Sequence, residues 1–119
     1  MYKRTNKEFL LDMMVACKRM IRYTENMNFE NFSKDEKTID AVIRNVEILG
    51  EAVKNMSLEF KEKYPEVKWS MIARTRDKLI HFYFGLDIEV LWKILKDDIP
   101  ELRQKLEYIM QKEGWQNEI

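Results

Sequence analysis

Hydrophobic side chains recur along the chain at the three- and four-residue spacings of α-helices. The first stripe predicts a helix of about residues 6–28, which the segment NFENFS ends. The members of this stripe are Phe9, Met13, Cys17, Met20, Thr24 and Met27. From Ser33 onward a second stripe predicts a helix of about 25 residues, ended by Pro65 in KYPEV. Its members are Ile39, Val42, Ile43, Val46, Leu49, Val53, Met56 and Phe60.

The second half of the chain predicts three more helices. One runs from about Trp69 to Phe84 and ends at Gly85, which can adopt a left-handed cap without steric cost. Asp87 is expected to cap a short fourth helix, which carries Val90, Leu91, Ile94 and Leu95. A fifth follows Pro100 and carries Leu102, Leu106, Ile109 and Met110. The last residues, GWQNEI, are expected to fray.

Three pairs of residues mark helix starts by their spacing. Thr5 with Glu8 and Ser33 with Glu36 have the spacing of a capping box, and Asp98 with Glu101 is a looser relative. The chain of 119 residues is 45% hydrophobic and 35% charged, with only 3 Gly and 2 Pro, which suits long amphipathic helices. We therefore predict an all-α fold: a single domain over residues 1–119, formed as an up-and-down bundle of four to five helices.

Composition narrows the classes of function. The single cysteine, Cys17, excludes an internal disulfide, and no Cys/His cluster could form a structural zinc site. The start, MYKRTNKEF, has no apolar signal segment, so a cytoplasmic protein is expected. Lys plus Arg (21) equals Asp plus Glu (21), so any contact with RNA would be local. Basic residues lack nearby acidic compensation around Arg74, Arg76 and Lys78.

The stretch RTRDKLIHFY also holds the only histidine, His81. On an ideal helix Arg74, Asp77 and His81 share one face, whereas Arg76 and His81 stand about 140° apart. Arg76 and His81 converge only if the arginine reaches round the helix, if the helix ends early, or if a second subunit contributes.

A histidine and arginines without a metal can carry out one kind of chemistry on RNA. Histidine can take the proton of a ribose 2′-hydroxyl, and a guanidinium can stabilise the charge on the attacked phosphate. Such a reaction leaves a 2′,3′-cyclic phosphate. The alternative is that His81 is a solvated or hydrogen-bonded residue on a charged helix face, which is the more common role of a lone histidine.

These residues resemble a known family. The segment RDKLIHFY matches the R-x4-H-x-Y form of the motif of HEPN ribonucleases, typical of the HepT toxin of the HepT/MntA toxin–antitoxin system. Three further segments support the resemblance: AVIRNVEILGEAVKNMS, YPEVKWSMIARTRDKLIHFYFGLD and LWKILKDDIPEL. Together they cover nearly the whole chain.

The resemblance implies a HEPN-like helical bundle acting as a metal-independent RNase toxin of a type VII toxin–antitoxin system, without a cofactor. It implies a homodimer in which two R-x4-H motifs face one cleft. Arg76 and His81 match the catalytic pair, and Asp77 matches the polar residue after the arginine. Tyr83 matches the tyrosine to which the partner nucleotidyltransferase antitoxin transfers AMP. The pattern assigns no role to Arg74, which with Lys78 could contact RNA phosphate.

Other residues are open to two interpretations. Gly50 lies inside a predicted helix, where it costs about 1 kcal/mol relative to Ala, so a close approach by another helix or by a ligand is expected, with helix packing favoured. Glu47 and Glu51 could suggest a di-metal bundle, but such sites need Glu-x-x-His motifs, and one histidine is too few. Phe82, Tyr83 and Phe84 cannot all face one core.

Three hypotheses follow. The first is the RNase toxin, whose partners are RNA and the nucleotidyltransferase antitoxin. The second is a non-catalytic HEPN bundle that serves as the nucleotide-binding or docking subunit of a nucleotidyltransferase. The third, a purely structural helical adaptor, leaves His81 and the basic cluster unexplained.

Overall fold

The computed structural model describes residues 3–81 and 87–116, except for the side chains of Ile80 and His81. Every regular element in this part is helical, which confirms the predicted all-α class. The elements are α1 (Asn6–Thr24), α2 (Phe29–Lys34), α3 (Glu36–Asn55), α4 (Leu58–Lys63), α5 (Trp69–His81), α6 (Ile88–Lys93), a π-helical turn (Ile94–Asp98) and α7 (Ile99–Glu113).

The four long helices form a bundle around one hydrophobic core. Helix α3 is central, because it packs against both α1 and α5, and α1 also packs against α7. The apolar stripes predicted for the first two helices are largely buried in this core, with Met13, Met20 and Val42 fully enclosed. Cys17 is also buried there, as expected for a small apolar side chain.

The capping box at the start of α1 is confirmed. The Thr5 hydroxyl accepts from the Glu8 amide at 3.4 Å, and the Glu8 carboxylate accepts from the Thr5 amide at 3.1 Å. The box predicted at Ser33 is wrong. Ser33 lies inside α2, where its hydroxyl donates to the Glu30 carbonyl, and Asp35 caps α3 by accepting from the Thr38 amide at 3.0 Å.

The predicted first and second helices differ from the observed ones at their ends. The first ends at Thr24, and the segment NFENFS forms α2, whose Phe32 is buried beside Trp92 with ring centroids 5.1 Å apart. The second breaks after Asn55, because the Ser57 hydroxyl caps a new short helix, α4, by accepting from the Phe60 amide. The apolar period continues across this break because α4 also buries Phe60 in the core.

The predicted fourth and fifth helices are joined by the π-helical turn. Asp87 caps α6 as predicted, accepting from the Glu89 amide at 2.9 Å. Helix α7 begins directly after Asp98, as predicted, but the Asp98 side chain makes no capping hydrogen bond, so the cap predicted there is wrong. Pro100 lacks an amide hydrogen and would clash with the preceding turn of a regular helix; at the start of α7 a wider turn accommodates it.

The end of the chain is more ordered than expected at Trp115. Gly114 adopts a left-handed conformation, with φ of 77°, that ends α7. The Trp115 amide then donates to the Met110 carbonyl at 2.7 Å, and its ring stacks on Phe60 at 5.8 Å between centroids. The predicted fraying is therefore wrong for this residue.

Helix α5 begins as predicted at Trp69, whose indole donates to the carbonyls of Lys61 and Tyr64, each at 3.0 Å. Its predicted end at Phe84 and Gly85 lies outside the described residues. No helix in the described part is both long and apolar enough to cross a membrane.

Candidate active site on helix α5

Arg76 lies on the face of α5 that packs against α3. Counting 100° per residue, it falls in the same stripe as Trp69 and Leu79, which are both buried. Gly50 of α3 makes room for it: a Cβ on Gly50 would stand 2.3 Å from the Arg76 Cβ and 2.4 Å from its Cγ. Gly50 is therefore required for close packing of two helices, which confirms the favoured interpretation of that glycine.

The Arg76 guanidinium is held by two carboxylates at the surface end of this contact. Nη2 donates to Glu51 at 3.4 Å and Nη1 donates to Asp77 at 3.1 Å. The side chain is only 23% exposed, and its buried Nε has no hydrogen-bond partner among the described residues. The stem is thus enclosed while the charged end stays accessible, as arginine allows.

Asp77 links the same guanidinium to a second cation. Its carboxylate accepts from Lys54 of α3 at 2.8 Å as well as from Arg76. These two hydrogen bonds hold the pKa of Asp77 below its usual range, and the bond from Lys54 has the larger effect. Asp77 is therefore ionised at neutral pH. Its carboxylate accepts a hydrogen bond from the Arg76 guanidinium and so orients it.

The structure describes the other predicted site residues only in part. His81 is the last residue of α5 in the described range, with its side chain outside it, and Tyr83 lies among residues 82–86, also outside. Arg74 and Lys78 are both exposed on α5. The structure thus brings Arg76 and Asp77 into direct contact and leaves Arg74 and Lys78 facing solvent.

A surface cleft of about 280 Å³ opens beside Arg76. Three arginines line it, and they come from different parts of the chain: Arg4 precedes α1, Arg44 is on α3 and Arg76 is on α5. The other lining residues are Phe9, Asp12, Glu47, Ile48, Glu51 and Ala52. The cleft therefore combines charged side chains with an apolar surface, a combination found in ligand-binding clefts.

Glu51 and Lys54 hold the predicted catalytic arginine and its neighbour, yet sequence reasoning gave neither this role. Glu51 was considered only as a metal ligand, and in the described part of the chain no group of three His, Cys, Asp or Glu side chains could hold a metal ion. The feature of the sequence that could have indicated this role is Gly50. A glycine inside an amphipathic helix marks a close contact, and the polar residues one turn or less away then border whatever makes that contact.

The fold and the residues on α5 define an all-α bundle of the HEPN-like class. A family model described as "Ribonuclease HepT-like" matches residues 13–109 of the chain. The chain therefore belongs to the HepT-like ribonuclease family, as its motifs predicted.

Curated relatives agree with this assignment. A protein of Thermococcus cleftensis named "Probable ribonuclease HepT" is 50% identical over 105 residues, which cover 88% of this chain and 96% of the relative. A "Putative RNase" of Methanocaldococcus jannaschii is 44% identical over 110 residues, covering 92% of this chain and 91% of the relative. No solved structure matches the chain.

Proposed function

We propose that this protein is a metal-independent endoribonuclease with Arg76 and His81 as its catalytic pair. The observation that carries the proposal is the placement of Arg76: its stem is enclosed against Gly50, while its guanidinium stands at the rim of a cleft, five residues before His81. An arginine fixed in this way can meet a phosphate without further ordering. The ribonuclease names of the relatives support the same activity.

In the proposed reaction His81 accepts the proton of a ribose 2′-hydroxyl, whose oxygen attacks the adjacent phosphorus. The bond from phosphorus to the 5′ oxygen breaks, and that oxygen takes up a proton from water, to which His81 later returns the proton that it accepted. The products are a 2′,3′-cyclic phosphate and a 5′-hydroxyl. Arg76 donates to the phosphate oxygens as negative charge builds on them, and Asp77 keeps the guanidinium in place. The exposed Arg74 and Lys78 contact neighbouring phosphates.

The test uses labelled single-stranded RNA with EDTA present throughout. We expect cleavage with cyclic phosphate ends, and a loss of about a hundredfold or more for His81→Asn and for Arg76→Lys. Arg22→Gln is the control, since Arg22 is exposed at the far end of α1. Loss of all activity in EDTA would contradict metal independence, and full activity of His81→Asn would remove His81 from the mechanism.

We further propose that the protein is a homodimer whose two motifs face a shared cleft. On one straight helix Arg76 and His81 point about 140° apart, so a two-fold axis near α5 would bring the arginine of one copy close to the histidine of the other. In the described part, α5 packs mainly against α3, and an apolar groove of about 330 Å³ remains between α5 and α7. A stable monomer by light scattering at micromolar concentration would contradict the dimer.

The proposed biological role is that of a type VII toxin neutralised by AMP transfer to Tyr83 from a nucleotidyltransferase antitoxin. An AMP phosphate on Tyr83, seven residues from Arg76, could pair with the guanidinium that otherwise meets the substrate. We expect Tyr83→Phe to stay folded and toxic but to escape neutralisation. Equal addition of AMP to Tyr83→Phe and to the parent protein, by intact mass after incubation with the partner and ATP, would overturn the assignment.

The second candidate is a non-catalytic nucleotide-binding or docking subunit of a nucleotidyltransferase. The observation in its favour is that both carboxylates, Glu51 and Asp77, already neutralise the Arg76 guanidinium. A protein that binds the nucleotidyltransferase but cleaves no RNA, either before or after removal of AMP, would establish this candidate in place of the first.

A further inference from the structure

We propose that the cleft beside Arg76 is a subsite for a nucleotide that flanks the cleaved bond, in which Arg44 contacts a second phosphate of the RNA strand. The identity of the ligand rests on the proposed function. The cleft itself is a feature of the described residues, and its volume of about 280 Å³ is close to the lower end of small-ligand sites.

The guanidinium groups of Arg44 and Arg76 are held by carboxylates one helical turn apart on α3. Arg44 contacts Glu47, and Arg76 contacts Glu51, which lies about 6 Å further along the helix axis. Two guanidinium groups held at neighbouring points on one wall can each meet a different phosphate of an extended strand.

Two of the three arginines of the cleft, Arg44 and Arg76, are held by long contacts to carboxylates that a phosphate can displace. Arg44 contacts Glu47 at 3.5 Å and is 69% exposed, and Arg76 contacts Glu51 at 3.4 Å. Such long contacts at the protein surface contribute little energy, whereas a phosphate can accept two parallel hydrogen bonds from each guanidinium. Of the three, Arg4 has the shortest contact, at 2.7 Å to Asp12.

The surface between the arginines suits a nucleobase. Phe9, Ile48 and Ala52 provide apolar contact area, and the Arg4 guanidinium lies over the Phe9 ring at 4.8 Å from its centroid. A planar guanidinium or an aromatic ring is a surface on which a base stacks without regard to sequence. Three carboxylates balance the charge of the three arginines in the cleft, so RNA is attracted to it only at short range. Removal of one carboxylate should therefore strengthen the binding of RNA.

The experiment compares Arg44→Gln and Glu47→Gln with Arg22→Gln, a matched control outside the cleft. Steady-state cleavage gives kcat and KM, and the Kd of a fluorescent 2′-O-methyl RNA, which the 2′-hydroxyl reaction cannot cleave, is measured by anisotropy against salt. For Arg44→Gln we expect KM and Kd to rise about fivefold with kcat unchanged, and the salt slope to fall by about 0.7. For Glu47→Gln we expect KM and Kd to fall.

Three results would overturn the subsite: an Arg44→Gln protein whose KM and Kd equal those of Arg22→Gln, a loss in kcat instead of a rise in KM, or the same direction of change in Arg44→Gln and Glu47→Gln. The binding measurement separates this proposal from the proposed function. If the parent protein cleaves no RNA but Arg44→Gln still weakens the 2′-O-methyl RNA complex, the result supports the subsite and contradicts the proposed cleavage activity.

Discussion

Arg76 on α5 lies directly over Gly50 on α3, so closely that a Cβ on Gly50 would come within 2.3 Å of the Arg76 Cβ. A Cβ is fixed to its backbone, so no rotation of the arginine side chain relieves this overlap. The position of the proposed catalytic arginine therefore depends on a residue that has no side chain, on a different helix.

Gly50→Ala should destabilise the protein and reduce RNA cleavage. The added methyl group would push α5 away from α3, which we expect to lower the free energy of unfolding by about 1–3 kcal/mol despite the better helix propensity of Ala. Urea unfolding and cleavage rates measure the two effects. Gly114→Ala is the control: its φ of 77° makes Ala strained, but nothing lies within 4 Å, so stability should fall while cleavage stays unchanged. A Gly50→Ala protein more stable than the parent would contradict the contact.

Asp77→Asn should remove a contribution to stability that depends on pH. Hydrogen bonds from Lys54 and Arg76 lower the pKa of Asp77 in the folded protein below the ordinary value of 3.8. A lowered folded pKa means that the contribution is fully present above the unfolded pKa and disappears as pH falls through the folded one. The difference in unfolding free energy between parent and Asp77→Asn should therefore be constant at neutral pH and shrink below about pH 4.

The measurement is urea unfolding at a series of pH values. Asp97→Asn is a suitable control, since Asp97 is an exposed aspartate on the π-helical turn. A difference between parent and Asp77→Asn that persists unchanged to the lowest pH would show that the ionised carboxylate is not what stabilises the fold.

Cys17 should resist thiol reagents until the protein unfolds. Burial raises its pKa from 9.0 to about 12, an effect that the positive charge of Arg103 only partly offsets. The native thiol is therefore both enclosed and protonated near pH 8. Reaction with an aromatic disulfide reagent should be slow in buffer and fast in urea, following the unfolding transition. Rapid labelling of the native protein would show that the core between α1 and α7 opens readily.

Trp115→Ala should destabilise the protein although the residue lies beyond α7. Its ring stacks on Phe60 of α4 with an interplanar angle of 13°, and it packs against the hydrophobic core. We expect a loss of about 2 kcal/mol in the free energy of unfolding. Tyr108→Ala is the control, because Tyr108 is 49% exposed and its removal should cost less. Equal effects of the two substitutions would show that the stacked pair contributes nothing specific.

The sequence by itself determined the all-α fold, the family and most of the helix starts. Apolar spacing reports which face of a helix is buried whatever packs against it, and a cap such as Thr5 with Glu8 is a local interaction within four residues. Ser33 shows the limit of such local reasoning. Asp35 caps helix α3 two residues later, while Ser33 itself lies within α2, which buries Phe32 in the core.

Only the tertiary structure decided how the candidate site is held. Arg76 and Gly50 are 26 positions apart, and the sequence marks each as unusual without connecting them. Glu51, Lys54 and Arg44 become part of the site only because α5 crosses α3 at that glycine. Local patterns describe single helices, whereas contacts between helices depend on which faces meet and at what depth, and these follow from packing of the whole core.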